Sequence, residues 1–237
     1  MTRLAGLWAY QTLGRRPNPD LIATQALRHG ITWLTAQATE GETVLDREWL
    51  REMRRATRER NLRLAVHGFI GRPRPSPVAE ANAMARAIDL ADADFAIVNA
   101  EIQYEQSTRP DSKRFVERYR RLKPEFPTYF SSFGRPQFHR SLDWAAWAGA
   151  GFRGMPQAYE NLNAEQLKPT QCVDDWARFF ARRDMQLTIG CFSERGRPHL
   201  PIPRLVQSVR EVPGLRFNVF RHGTVTTAEL AALSAVV

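Results

Sequence analysis

The sequence predicts one (β/α)₈ barrel, a TIM-barrel domain of the α/β class covering residues 1–237. Three observations predict it. Short apolar runs of strand length alternate with helix-patterned segments eight times, the pattern of parallel strands joined by crossover helices. The length of 237 residues lies near the ~250 typical of one such barrel. An open doubly wound sheet would carry a glycine-rich phosphate turn after an early strand, and neither GxGxxG nor GxxxxGKS/T occurs. The sheet is therefore expected to close.

The elements follow in order. Leu4 to Leu13 is an apolar run ending in a turn rich in Gly, Pro and Asn, after which Pro19 and Asp20 open a helix closed near Gly30. Ile31 to Thr39 is the second strand and Asp46 to Arg60 its helix, with Trp49, Leu50 and Met53 at helical spacing. Leu62 to Ile70 is the third strand, followed by a proline-rich loop and a helix from Val78 to Leu90. Phe95 to Glu101 is the fourth, with Ser112 to Leu122 as its helix. The fifth, Thr128 to Phe133, is followed by a poorly patterned connection through Trp144 and Trp147. The sixth runs from Phe152 to Tyr159, before a helix from Val173 to Arg182. The seventh runs from Met185 to Phe192, with a helix from near Pro203, and the eighth from Leu215 to Phe220, with Thr227 to Val237 as the last helix.

Composition narrows the class. Hydrophobic residues make up 43% of the chain, enough for a sizeable core, and no apolar run reaches the ~18 residues of a membrane span. The opening Met1-Thr2-Arg3-Leu4 leads directly into strand-like sequence, so no standard signal peptide is expected, and the expected location is cytoplasmic. Cys172 and Cys191 form no CxxC pair and are expected as separate thiols. The formal charge is +9, and three of the 34 basic residues are lysines. Runs such as Arg51, Arg54, Arg55, Arg58 and Arg60 read as a solvated helix face or as a surface attracting a polyanion, either nucleic acid or an anionic cell wall. No motif of the common nucleic-acid modules is present, which argues against the first polyanion.

In closed barrels the chemistry sits at the C-terminal strand ends. Those ends carry Glu40, His67, Asn99 and Glu101, with Tyr104 and Glu105 beyond, then Ser131 and Ser132, Gln157, Tyr159 and Glu160, and finally Asn218, Arg221 and His222. Carboxylates, amides and aromatics on one rim suit a polyhydroxylated ligand. On the fourth strand, alternation places Phe95, Ile97, Asn99 and Glu101 on one face, with ~6.6 Å between the last two Cα atoms. If that face points inward, Glu101 stands at the mouth, where desolvation suits a general acid; the competing reading is a rim glutamate paired with an arginine. No cofactor or metal is expected. His67 and His222 near Glu101 leave a metal-dependent barrel hydrolase as a third reading. Ser131 and Ser132 sit in FSSFG rather than a nucleophile elbow.

Several of these segments resemble family 25 glycoside hydrolases, the lysozyme-type muramidases. Ala36-Gln37-Ala38-Thr39-Glu40-Gly41 is similar to the family's lysine-alanine-threonine-glutamate-glycine signature on strand two, and Val66-His67-Gly68-Phe69 to its third strand. Asn99-Ala100-Glu101 falls where the family carries aspartate-x-glutamate, and Pro127 to Ser132 resembles its fifth strand. The resemblance implies a peptidoglycan-type polysaccharide as partner and Glu101 as proton donor; the strand ends supply His67, Tyr104, Gln157, Tyr159 and Glu160 as candidate substrate-binding residues, with Trp8 and Tyr10 on strand one. It also implies a phage or prophage lysin released by a partner, or a barrel carried on a virion tail.

The departures are specific. Where the family has a strand-one aspartate the chain reads Gly6-Leu7-Trp8-Ala9-Tyr10, and Asn99 replaces the first acid of the strand-four pair. Ordinary glycosidases use two carboxylates, ~5–5.5 Å or ~6.5–9.5 Å apart, and Asn99 cannot be one of them. Three readings stay open: Glu40, Glu105 or Glu160 supplies the partner; the substrate's acetamido group acts as nucleophile with Asn99 orienting it; or the barrel binds glycan, or serves a structural role, without cleaving it.

Overall fold

The computed structural model describes residues 3–9, 16–71, 76–101, 109–162, 167–193 and 198–236. Its strands are β1 (Arg3–Ala9), β2 (Trp33–Glu40), β3 (Thr43–Val44), β4 (Arg63–Ile70), β5 (Phe95–Ala100), β6 (Thr128–Phe133), β7 (Arg153–Ala158), β8 (Gln186–Gly190) and β9 (Arg216–Phe220). Its α-helices are α1 (Pro19–Arg28), α2 (Arg47–Arg58), α3 (Pro77–Ala91), α4 (Arg109–Leu122), α5 (Trp144–Gly149), α6 (Pro169–Trp176), α7 (Ile202–Arg210) and α8 (Thr227–Ser234).

Eight strands pair in parallel in the order β1-β2-β4-β5-β6-β7-β8-β9, and β1 pairs with β9, so the sheet closes into a single (β/α)₈ barrel. The two-residue β3 lies outside the barrel, antiparallel to the end of β2, with Glu40 opposite Thr43. That hairpin is an addition to the sequence expectation: two residues are too few for a periodicity signal. The poorly patterned connection after β6 contains the short helix α5, which buries Trp144 and Trp147.

Local chemistry accounts for the helix ends. Asn18 caps α1 by accepting from the N–H groups of Asp20 and Leu21, with Pro19 at the first position. Asp46 and Ser76 cap α2 and α3. Thr226 and Glu229 form a reciprocal capping box at α8. Among the described residues no helix is long and apolar enough to cross a membrane.

The apolar side chains divide into two cores. The larger lies between sheet and helices and includes Leu7, Ile22, Leu34, Trp49, Phe130, Trp147 and Trp176. The smaller fills the barrel with Ala5, Trp8, Trp33, Ala65, Phe95, Ile97, Tyr129 and Met155. A register shift between Leu4 and Gly6 interrupts strict alternation, which lets Ala5 and Trp8, three residues apart, both face inward. A Cβ on Gly6 would come within 2.1 Å of the Trp33 ring, so glycine there admits the indole across β1. Trp33, Trp144, Trp147 and Trp176 are all core residues. Cys172 and Cys191 are separate, buried thiols.

The arginine-rich helix surface is largely ion-paired. Arg54 meets Asp92 and Asp94, Arg55 meets Asp20 and Glu59, Arg58 meets Asp92, and Arg60 meets Asp20 and Glu59. Much of the positive charge along α2 is thus matched by acids on neighbouring elements.

Candidate active site

The sequence expectation for the fourth barrel strand is met in β5. Phe95 and Ile97 point into the barrel core, and Asn99 continues that face. The Nδ2 group of Asn99 donates to Glu101 Oε1 at 2.8 Å. Two strands away on β7, Gln157 Nε2 donates to Asn99 Oδ1 at 2.8 Å and also reaches Glu101 Oε1 at 3.2 Å and Ser131 Oγ at 3.3 Å. Two side-chain amides therefore converge on one oxygen of the carboxylate. Among the described residues the carboxylate of Glu101 is thus held in an amide cradle.

The cradle belongs to a polar layer contributed by successive strands. The register sets Gln37 beside His67, Asn99 beside Ser131, and Gln157 beside Thr188, which is beside Asn218. All of these side chains are buried. Burial also pushes the His67 imidazole down to about 3, so the ring is neutral across the ordinary pH range. Between β1 and β9, Trp8 Nε1 donates to Asn218 Oδ1 at 2.5 Å, and the indole meets His67 edge-on at 4.7 Å. The peptide bond Phe220–Arg221 at the end of β9 is cis.

The other candidate positions separate. Trp8 is 1% exposed and belongs to the barrel filling, so it offers no open stacking face. Tyr159 is buried against Phe220 and Phe192, with ring centroids 5.6 and 5.2 Å apart. Glu160 turns toward the helix layer: Arg204 Nε and Ser208 Oγ on α7 each donate to it at 2.6 Å. Gln157 lies on β7, whereas Tyr159 and Glu160 follow the strand's last residue, Ala158, and are held by the packing and hydrogen bonds just described. Glu40 is exposed at the end of β2 and shares no hydrogen bond with the Glu101 cluster among the described residues. Tyr10, Tyr104 and Glu105 lie outside the described residues. Among the described residues no group of three or more His, Cys, Asp or Glu side chains is placed to hold a metal ion.

Ser131, Thr188 and Asn218 belong to this buried polar layer. They were legible as the inward-alternating polar positions of otherwise apolar strands, a signal that sharpens only once strand register is known.

No protein-family profile matches the chain, and no curated protein sequence does. Solved structures do share its fold. A chitinase from Chromobacterium violaceum ATCC 12472 superposes with a TM-score of 0.70 over 98% of each chain, at 9% identity. The Bacillus cereus spore cortex-lytic enzyme SleL superposes at 0.72 over the whole of this chain and 75% of its own, at 8% identity. A chitinase domain from Pyrococcus furiosus, solved with chito-oligosaccharides, gives 0.69 over 100% and 93%, at 13% identity. These neighbours carry the names of chitin- and cortex-directed hydrolases rather than of family 25 muramidases. The shared feature is the barrel architecture.

Proposed function

We propose that the chain is a glycoside-hydrolase-type barrel that cleaves N-acetylated glycan, chitin-like or peptidoglycan-like, with the substrate's acetamido group as nucleophile and Glu101 as acid and base. The observation that carries this reading is the make-up of the cluster: one carboxylate at the end of β5, held by the amides of Asn99 and Gln157. A two-carboxylate glycosidase needs a second acid nearby; of the described acids considered for that role, Glu160 is bound to α7, and Glu40 is exposed and shares no hydrogen bond with the Glu101 cluster. Substrate assistance is the established exception that needs only the proton donor from the protein. The chitin- and cortex-directed names of similarly folded structures support the substrate class.

In this reading protonated Glu101 gives its proton to the glycosidic oxygen as the acetamido carbonyl oxygen attacks C1, so the C1–O bond breaks and an oxazolinium ion forms. Water then attacks C1, the ring opens, and the Glu101 carboxylate takes the water proton. Asn99 uses one N–H on Glu101 and one lone pair on Gln157, leaving one of each; the remaining Oδ1 lone pair is the acceptor for the acetamido N–H.

The test is turnover of chitin oligomers and peptidoglycan by wild type and Glu101→Gln between pH 4 and 8. Wild type is expected to release fragments with retained anomeric configuration and to leave deacetylated oligomers intact. Glu101→Gln is expected to keep glycan binding and lose ~10²–10⁴-fold in rate. Absence of fragments from wild type refutes hydrolysis, and glycan retention without fragments identifies a binding barrel.

A further inference from the structure

At the opposite end of the barrel, the N-terminal strand ends surround a cavity of about 260 Å³. Arg63, Arg153 and Arg216 line it, each the first residue of its strand, β4, β7 and β9. Ala5, Trp33, Phe95, Tyr129 and Gln186 form its buried wall.

Unlike the paired arginines along α2, these three side chains are exposed and have no carboxylate partner among the described residues. Among the described residues no acid lines the cavity. Two of the guanidinium groups lie over aromatic rings, Arg63 4.9 Å from the centre of Phe95 and Arg153 6.0 Å from that of Tyr129, contacts that hold a cation without neutralising it. In the wall, Gln186 Nε2 is committed to Tyr129 Oη at 2.7 Å. Its Oε1, and the Trp33 indole N–H, are buried without a partner. Unmet buried polar atoms carry a free-energy cost, and here both belong to residues of one cavity.

We propose that this cavity is a binding site for a small phosphomonoester bearing a flat or apolar body, the phosphate held by the arginine rim and the body resting on the aromatic wall. Guanidinium groups present paired donors matched to phosphate oxygens, and three cations lining one cavity favour a dianion over a carboxylate. The volume lies just below the ~300 Å³ at which small-molecule sites begin, which limits the body to about one ring. The site is independent of the Glu101 mouth, which occupies the other end of the strands.

Isothermal titration of the full chain with phenyl phosphate, inorganic phosphate and benzoate tests the proposal. Phenyl phosphate is expected to bind with one-to-one stoichiometry, about tenfold or more tighter than either comparator. Arg153→Gln and Arg216→Gln are each expected to weaken it by about tenfold or more, with unchanged thermal unfolding in the absence of ligand and unchanged glycan binding. Glu101→Gln is expected to leave phenyl phosphate binding intact. No saturable binding, equal affinity for inorganic phosphate, or affinity indifferent to both arginine substitutions would overturn the assignment.

Discussion

Gln157 on β7 reaches across β6 to donate its side-chain N–H to Asn99 Oδ1 at 2.8 Å, and the same nitrogen lies 3.2 Å from Glu101 Oε1. One amide thereby orients both the Glu101 carboxylate and the residue beside it. Gln157→Ala removes this brace while leaving Glu101 in place. On the proposed chemistry, kcat falls about tenfold or more, because a loosened acid loses orientation, while the KM for chitin oligomers changes less.

Asn99→Asp replaces the amide donor with an acid whose oxygen lies within hydrogen-bond distance of Glu101 Oε1. Two carboxylates so close resist double ionisation and retain a shared proton to higher pH. Because the proposed acid works protonated, the alkaline limb of the kcat/KM profile is expected to move upward by about one pH unit or more. A measured profile whose alkaline limb is unmoved argues against Glu101 as donor.

The Trp8–Asn218 bond joins the first and last strands where the barrel closes. Asn218→Ala leaves the buried indole N–H unpaired, a penalty of about 1–3 kcal/mol. Urea unfolding is expected to show a lower midpoint with an unchanged slope.

Glu80 gives a pH signature of its own. Its side chain is buried beside α3's first turn, Oε1 accepts the Gly71 backbone N–H, and Oε2 has no partner. Burial pushes this carboxyl up to about 7 from 4.5. Below 4.5 both folded and unfolded forms hold the proton, so the stabilisation is fully present. Between 4.5 and 7 only the unfolded form releases it, and stability falls by up to about 3 kcal/mol as pH rises. Glu80→Gln is expected to cancel that slope, so its unfolding temperature rises relative to wild type from pH 4.5 to 7 and then runs level.

Glu160 should behave as a fastener. Its 4% exposed carboxylate binds Arg204 and Ser208, so Glu160→Gln is expected to cost about 1–2 kcal/mol in denaturant unfolding with little change in glycan turnover. A loss of turnover matching that of Glu101→Gln, at unchanged stability, would return Glu160 to the mouth.

The sequence by itself determined the eight-fold alternation, hence the closed barrel, and the shared face of Phe95, Ile97, Asn99 and Glu101, because strand periodicity is a local property of the backbone. It could not orient Glu160, which lies beyond the end of β7 and is turned by Arg204 and Ser208 on α7, nor foresee that Trp8 would be buried as the partner of Asn218, since that contact joins residues 210 positions apart. The two ends of the barrel were likewise decided by tertiary structure. Arg63, Arg153 and Arg216 are scattered through the chain and become one cationic rim only when parallel register brings the starts of β4, β7 and β9 around the same opening.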